Sequence, residues 1–574
     1  GGLLLLLSRA VRINVDAAER GNGMSRFVTV VVVACLLGFA LAPTTTTAQD
    51  DVAEALRLAI ERMQVSGRLE RSDVSVASRQ ALAELYERRR FQAAWNRPQQ
   101  AMELLELIVA SEADGLDPND YHIAVVRRGV EMLGCLSSLP ATERAELDIL
   151  LTDALVRLAY HQRFGKVDPY TLDPQWNFRR ELANADPVAA LQAAMDAQSL
   201  RQYFDTLVPR GWFYRAMRDG LARYRAIAAS GGWPTVAEGP TLRPGDTDSR
   251  IQAMGRRLAV TGDLSDSALS AISDRYSPEL EQAVRRFQAR HGLDVDGVVG
   301  PGTLRAMNVS AAQRVRQLEI NLERARWVLD DISDYFILVN IAGFRVYVVR
   351  DREIVWETRA QVGRPYRKSP VFRDEMKYLV LNPTWTAPYS IATRDLLPQI
   401  KQDPEFFETR GFDLLDRNGN RVNPSSVDWS GVTTNSFPYT LVQRPGPANA
   451  MGRVKFMFPN PHAVYLHDTP SRYLFDRADR TFSSGCIRIE NPFELAEILL
   501  GPDGWDQERF SDVLDTKKER TVFLSQPVPV LLLYWTAQAS PDATVSFFPD
   551  VYQRDAAIDR ALDEPFTLKL PVAR

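Results

Sequence analysis

Two periodicities divide this chain. From Asp51 to about residue 235 apolar positions recur at helical spacing: "DDVAEALRLAIERM" sets Leu56, Ala59, Ile60 and Met63 on one stripe, and "TERAELDILLTDALVRLAYH" continues from Thr142. This predicts a helical scaffold over 51–235, with polar turns at "DGLDPNDYH" and "RFGKVDP". No partner cluster surrounds His122 or His161, so both read as structural side chains. The Gly/Pro-rich run "SGGWPTVAEGPTLRPGD", Ser230 to Asp246, reads as a linker. A compact helical module follows over 243–309. Its first clear helix has Ser277 as N-cap and Pro278 at the first position, with Leu280, Ala283, Val284 and Phe287 on one face. A second helix starts at Pro301 and buries Leu304 and Met307.

From about Asp334 the period becomes two. "YFILVNIAGFRVYVVRDREIVWETRAQVG" alternates apolar and polar positions and turns at Ala342-Gly343 and Asp351-Arg352, which predicts a β-meander. Strand-rich sequence runs on to "RTVFLSQPVPVLLLYWTA" from Arg520, so 330–530 reads as one β-rich domain and 531–574 as a C-terminal extension. Residues 388–445 interrupt the pattern with a helical stretch and then Asn, Ser and Gly, an insertion of the kind that serves as a lid. The expected fold class is multidomain α+β: helical scaffold, small helical module, and β-rich domain with an inserted lid.

Ahead of all this, "MSRFVTVVVVACLLGFALAPTTTTAQD" from Met24 has a basic start, an apolar run to Ala42, then small residues. That order over 24–48 matches an export signal or an uncleaved membrane anchor, and puts the rest of the chain outside the cytoplasm. Residues 1–23 read as an upstream extension. The 574 residues, 45% hydrophobic and 25% charged, describe folded globular domains. A net charge of −4 argues against nucleic acid as a partner. Of three cysteines, Cys35 lies in the export segment, and Cys135 is far from Cys486 in a helical region, so Cys486 reads as a free thiol.

The surroundings of Cys486 suggest why. "PHAVYLHDTP" reads as a strand with Val464 and Leu466 toward the core and Ala463, Tyr465 and His467 on the other face, which turns His462 away from His467. The chain returns through "SSGCIRI" into a helix with Asn491 as N-cap, Pro492 at the first position and Glu494 closing a capping box. A thiol needs a base or a cation to ionise near neutral pH, and His467 is the available base. Gly485 lets backbone N–H groups approach a reacting carbonyl. Cys and His nineteen residues apart are weak evidence alone; with the glycine and the pinned loop the evidence is stronger. His462, His467, Asp468 and Cys486 lack the spacing of a zinc site, and neither metal nor other cofactor is expected.

"HDTP" followed by "SSGCIR" resembles the signature of the L,D-transpeptidase family, with its YkuD-type catalytic domain. "NPTWTAP" from Asn382 and "PGPANAMGRVKFMFPN" from Pro445 look like approach segments of that domain. Phe287, Gln288, Asp296, Gly297, Gly300, Pro301 and Thr303 resemble the motif of a peptidoglycan-binding module, a wall binder or a spacer. The order of parts is similar to the long periplasmic YcbB-like type.

The resemblance implies an acyltransferase of the cell envelope acting on peptidoglycan tetrapeptide stems, with other wall-synthesis enzymes as partners and membrane contact only through the N-terminal segment. Cys486 would be the nucleophile and His467 the proton acceptor and donor. Gly485 and Cys486 N–H groups would hold the oxyanion, and the backbone carbonyl of Asp468 would orient His467, while the Asp468 side chain caps the turn. An amine from a second stem would complete a 3→3 cross-link; water would make a carboxypeptidase. Arg488 would bind a stem carboxylate or form a structural ion pair. Tyr465 would donate to the intermediate or wall the site. Trp385 and the segment Asn449 to Gly452 would line the cleft. Ser484, which stands where many short members carry histidine, would shape the loop. Carbapenems would acylate Cys486. Rival readings are a cysteine endopeptidase cutting wall peptides and a non-catalytic wall-binding protein.

Overall fold

The computed structural model describes residues 48–132, 139–178, 186–197, 199–209, 211–329 and 332–566. The upstream extension, nearly all of the export segment and Cys135 lie outside the described residues. No described helix is long and apolar enough to cross a membrane.

The helical stripe buries as its spacing requires. Leu56, Ile60 and Met63 of the helix Ala48–Ser66 are at most 2% exposed and share a core with Leu151, Leu155 and Leu158 of Ala141–Phe164. That core ends at Phe204. The next helix, Trp212–Ala229, packs instead on Ala311–Val328 and on the hairpin near the C-terminus, so the stretch read as one scaffold to residue 235 contributes to two cores. His161 Nδ1 meets the Tyr121 hydroxyl and His122 Nε2 meets Asp153, both at 2.9 Å, so each serves the helical packing.

The small module has its own core around Leu280, Val284, Phe287 and Met307. Ser277 accepts from the Leu280 N–H, and Pro278 opens the helix Pro278–Arg290. Gln288 explains several motif residues: its side chain accepts from the Gly297 N–H and donates to Asp296 and to the Val298 carbonyl. The linker is partly built in, since Leu242 forms a bridge with Val299.

The β-rich domain comprises β1 Tyr335–Asn340, β2 Arg345–Arg350, β3 Glu353–Gly363, β4 Phe372–Leu381, β5 Trp385–Thr386, β6 Phe412–Leu415, β7 Arg421–Val422, β8 Thr440–Gln443, β9 Val454–Met457, β10 Leu466–His467, β11 Thr481–Ser483, β12 Ile487–Ile489 and β13 Arg520–Leu533. The main sheet has the order β11-β3-β12-β10-β9-β4-β13-β1-β2, and an added β2–β3 pairing closes it on itself. The expected meander is β1-β2-β3, with turns at the expected places. Segments β5 to β8 form a separate four-stranded sheet whose core includes Phe406, Phe412 and Leu441, so the insertion expected over 388–445 is a folded subdomain whose sheet begins at Trp385.

Two expectations are corrected. The boundary at 530 cuts through β13, whose residues Val530 to Leu533 pair in parallel with β1 from Ile337 to Asn340. After it, β14 Ala537–Ala539, β15 Val545–Phe547 and the helix Asp555–Asp563 clamp the helix Ala311–Val328, with Arg324 bonded to Asp555 at 2.6 Å. The long strand through "PHAVYLHDTP" shrinks to Leu466–His467. Ahead of it Asn460 binds the carbonyls of Phe458 and Val464, and Ala463 has a left-handed φ of 52°, so the backbone turns where extended chain was expected.

Candidate active site

The register across three strands decides which side chains meet. On one face Leu466 pairs with Ile487 and Phe456, all fully buried in the core. On the other, His467 pairs with Arg488 of β12 and Lys455 of β9, and Arg488 pairs onward with Gln361 of β3. Side chains alternate along a strand, so Tyr465 and Cys486, two residues before His467 and Arg488, join that second face. Cys486 and His467 are then diagonal neighbours on adjacent strands, with Cα atoms ~8 Å apart.

Cys486 is unbridged, and its sulfur lies 3.8 Å from the Ala463 carbonyl. The residue is partly open to solvent while protein surrounds the sulfur on most sides. Burial pushes the thiol pKa up; the Tyr465 backbone N–H and the cations Lys455 and Arg488 pull against that rise. His467 is only 1% exposed, and its Nδ1 lies 2.5 Å from the Asp468 carbonyl. A carbonyl only accepts, so Nδ1 carries the proton and Nε2 is the basic nitrogen. Burial first, then the Arg488 charge, push the imidazole down to about 3, against the Asp468 and Met451 backbone contacts that favour its protonated form. At neutral pH one face of the sheet therefore carries both a neutral imidazole, able to accept a proton, and a protonated thiol.

The loop carrying the thiol is tied from below. Ser483, 1% exposed, accepts from the Gly485 N–H at 3.0 Å and donates to the Cys486 carbonyl at 2.5 Å. Ser369 donates to the Gly485 carbonyl at 2.7 Å, and Gly485 has a φ of 121°, a conformation suited to glycine. These bonds correct one expectation: the Gly485 N–H is committed to Ser483 and is not a free oxyanion donor. The Cys486 N–H has no partner among the described residues.

Arg488 donates to Gln361 Oε1 at 3.2 Å, while its buried Nε has no partner and no carboxylate pairs with it among the described residues. The structural ion pair is thus not formed. Lys455 escaped the sequence reading: in "GRVKFMF" it is one polar position in an apolar strand, and only pairing across β9 and β10 brings it beside His467. Its ammonium sits 4.0 Å from the centroid of the Tyr465 ring.

Other candidates have structural employment. Asn449, 1% exposed, donates to the Pro383 and Arg444 carbonyls and accepts from the Met451 N–H, so it ties loops and does not face a cleft. Gly452 has a φ of 63°, and a Cβ there would collide with the Asp468 side chain. That carboxylate accepts from the Arg453 N–H at 2.9 Å, which gives it the expected turn contact. Trp385, just ahead of the 388–445 insertion, lies in β5 of the four-stranded sheet and packs toward Phe412. Ser484 is exposed and accepts from Arg367 at 3.0 Å; Arg367 also pairs with lid residue Asp395 at 2.5 Å. The Glu494 capping box does not form, because Glu494 takes the Trp356 indole N–H at 2.8 Å and Asn491 makes no side-chain cap. No group of residues suited to a metal ion occurs among the described residues.

The model of the L,D-transpeptidase catalytic domain matches residues 334–524, which hold this site and the lid. This segment is similar to the catalytic domain of the L,D-transpeptidase family. A scaffold domain matches 80–221, and a domain described as "Putative peptidoglycan binding domain" matches 247–307. A Haemophilus influenzae protein named "Putative L,D-transpeptidase" is 38% identical over 246 residues, 43% of this chain and 49% of that protein. The match thus spans about half the length of that relative. Among solved structures, an L,D-transpeptidase from Xylanimonas cellulosilytica is 16% identical, covering 52% of this chain and 99% of that one, with a TM-score of 0.17. One from Mycobacterium smegmatis is 13% identical, covering 35% and 58%, also at 0.17.

Proposed function

We propose that this protein is an L,D-transpeptidase that forms 3→3 peptidoglycan cross-links through a Cys486 thioester. The observation that carries the reading is the shared face of Tyr465, His467, Cys486 and Arg488, set by the β10–β12 register within the L,D-transpeptidase segment. In the first step the Cys486 sulfur attacks the carbonyl of the third stem residue as its proton passes to His467. The carbonyl π pair moves to oxygen, where the unpartnered Cys486 N–H supplies a donor, while the Gly485 N–H stays with Ser483. Collapse breaks the C–N bond, and the imidazolium protonates the leaving D-alanine amine. In the second step the amine of a neighbouring stem, deprotonated by His467, displaces the sulfur and restores the thiol.

Arg488, whose buried Nε has no partner among the described residues, suits a stem carboxylate, and the tie from Asp395 of the insertion through Arg367 to Ser484 of the thiol loop supports a lid role for the insertion. The site works in the cell envelope, reached through the N-terminal export segment, and the module at 247–307 holds the enzyme to its polymer. The test is incubation of purified protein with disaccharide-tetrapeptide and mass analysis of products. Dimers linked 3→3 with released D-alanine are expected, and none from Cys486→Ala. Consumption of cross-linked dimers to monomers alone would establish the endopeptidase instead. Equal products from Cys486→Ala would end the proposal. A meropenem adduct on the Cys486 peptide is a further expected outcome.

A further inference from the structure

We propose that Lys455 is a positioning residue of this site, whose ammonium, held over the Tyr465 ring on the strand beside His467, stabilises the Cys486 thiolate. The inference rests on Cys486 being the nucleophile, and adds a group that neither the motif nor the family match assigns.

Three observations converge on Lys455. It is cross-strand partner to His467, as Arg488 is on the other side, so two cations flank the imidazole in one row across β9, β10 and β12. It has no hydrogen bond or ion pair among the described residues, and its ammonium lies 4.0 Å from the centroid of the Tyr465 ring. A half-buried lysine kept for packing or folding ordinarily finds a carboxylate. The acid whose field reaches it, Glu519, is already bonded to the Thr384 N–H and hydroxyl at 2.6 and 2.7 Å. The strand thus presents an unneutralised charge to the thiol.

The chemistry gives that charge a task. When the thiol proton moves to His467, a neutral pair becomes thiolate and imidazolium in a largely enclosed site. Arg488 and Lys455 disfavour the imidazolium and favour the thiolate, so the developing negative charge falls on sulfur, where these cations and the Tyr465 N–H meet it. Lys455 itself transfers no proton. The charges that act on the sulfur, on Lys455 and on their neighbours are Arg488 from β12 on the sulfur and on His467, Glu519 ahead of β13 on Lys455, Tyr378 from β4 on Tyr465, and Arg364 after β3 on Arg488. Lys455 and Arg488 are the cations that act directly on the sulfur.

The test is the pH dependence of Cys486 alkylation by iodoacetamide in the full chain, read by mass spectrometry of the Cys486 peptide so that other cysteines do not enter. Lys455→Gln and Lys455→Met should each raise the apparent thiol pKa by about one unit, which slows alkylation about tenfold at pH 7. Lys455→Arg should restore the wild-type profile, a rescue that simple packing would not produce in this form. A wild-type pH profile in either neutral variant would overturn the proposal. So would a Lys455→Arg profile matching the neutral variants at unchanged melting temperature. Alkylation uses no stem peptide, so a protein that shows the Lys455 effect but forms no cross-link refutes the proposed function and leaves this inference standing.

Discussion

His467 gives the sharpest prediction, because its burial couples the site to acid stability. In the unfolded chain a histidine binds a proton near 6.5; in the fold, burial and the Arg488 charge push this one down to about 3. Between those values the unfolded state binds more protons, so stability rises with pH through the window. The contribution is fully present above about pH 6.5 and is lost progressively as pH falls toward 3. At ~1.36 kcal/mol per pH unit the full loss is about 5 kcal/mol, of which about 2 kcal/mol is gone by pH 5. Urea unfolding of the full chain at pH 7.5 and 5.0, followed at the transition of the β-rich domain, measures it. His467→Gln cannot titrate, so its loss between the two pH values should be smaller than the wild type's by about 2 kcal/mol. The five histidines also permit a direct NMR titration, with the His467 resonance identified by its absence in the variant. A resonance titrating near 6.5, or equal pH sensitivity in the two proteins, would refute the reasoning.

Three further outcomes follow from the packing. Gly452→Ala combines a left-handed φ of 63° with a clash against Asp468, and should destabilise the domain by about 3 kcal/mol; a melting temperature equal to wild type would contradict this. Ser483→Ala strands the Gly485 N–H and frees the Cys486 carbonyl, which should cost about 1–3 kcal/mol and lower turnover more than tenfold, measured by D-alanine release. Arg367→Ala removes the tie between lid residue Asp395 and Ser484 of the thiol loop, so limited proteolysis should cut within 388–445 sooner while the main sheet stays intact.

The sequence by itself determined the local elements and marked the candidate reactive residues. Helical spacing in "DDVAEALRLAIERM", the Ser277-Pro278 cap and the alternation of β1 to β3 are local signals, written where the element forms and read by neighbours a few residues away. The motif around Cys486 is local as well, and it pointed to the thiol and to His467. Tertiary structure decided what those residues face. The β9–β10–β12 register, joining segments far apart in sequence, brought in Lys455 and left Arg488 without an acid among the described residues. Packing turned Asn449 and Gly452 into supports, sent Glu494 to Trp356, and gave the Gly485 N–H to Ser483. It also carried β13 through the boundary drawn at residue 530, since only pairing with β1 shows where that strand ends. A residue's own type and period state whether it is apolar or reactive. Which charge lies opposite it, and whether its hydrogen bonds are already taken, are properties of the strand that arrives beside it.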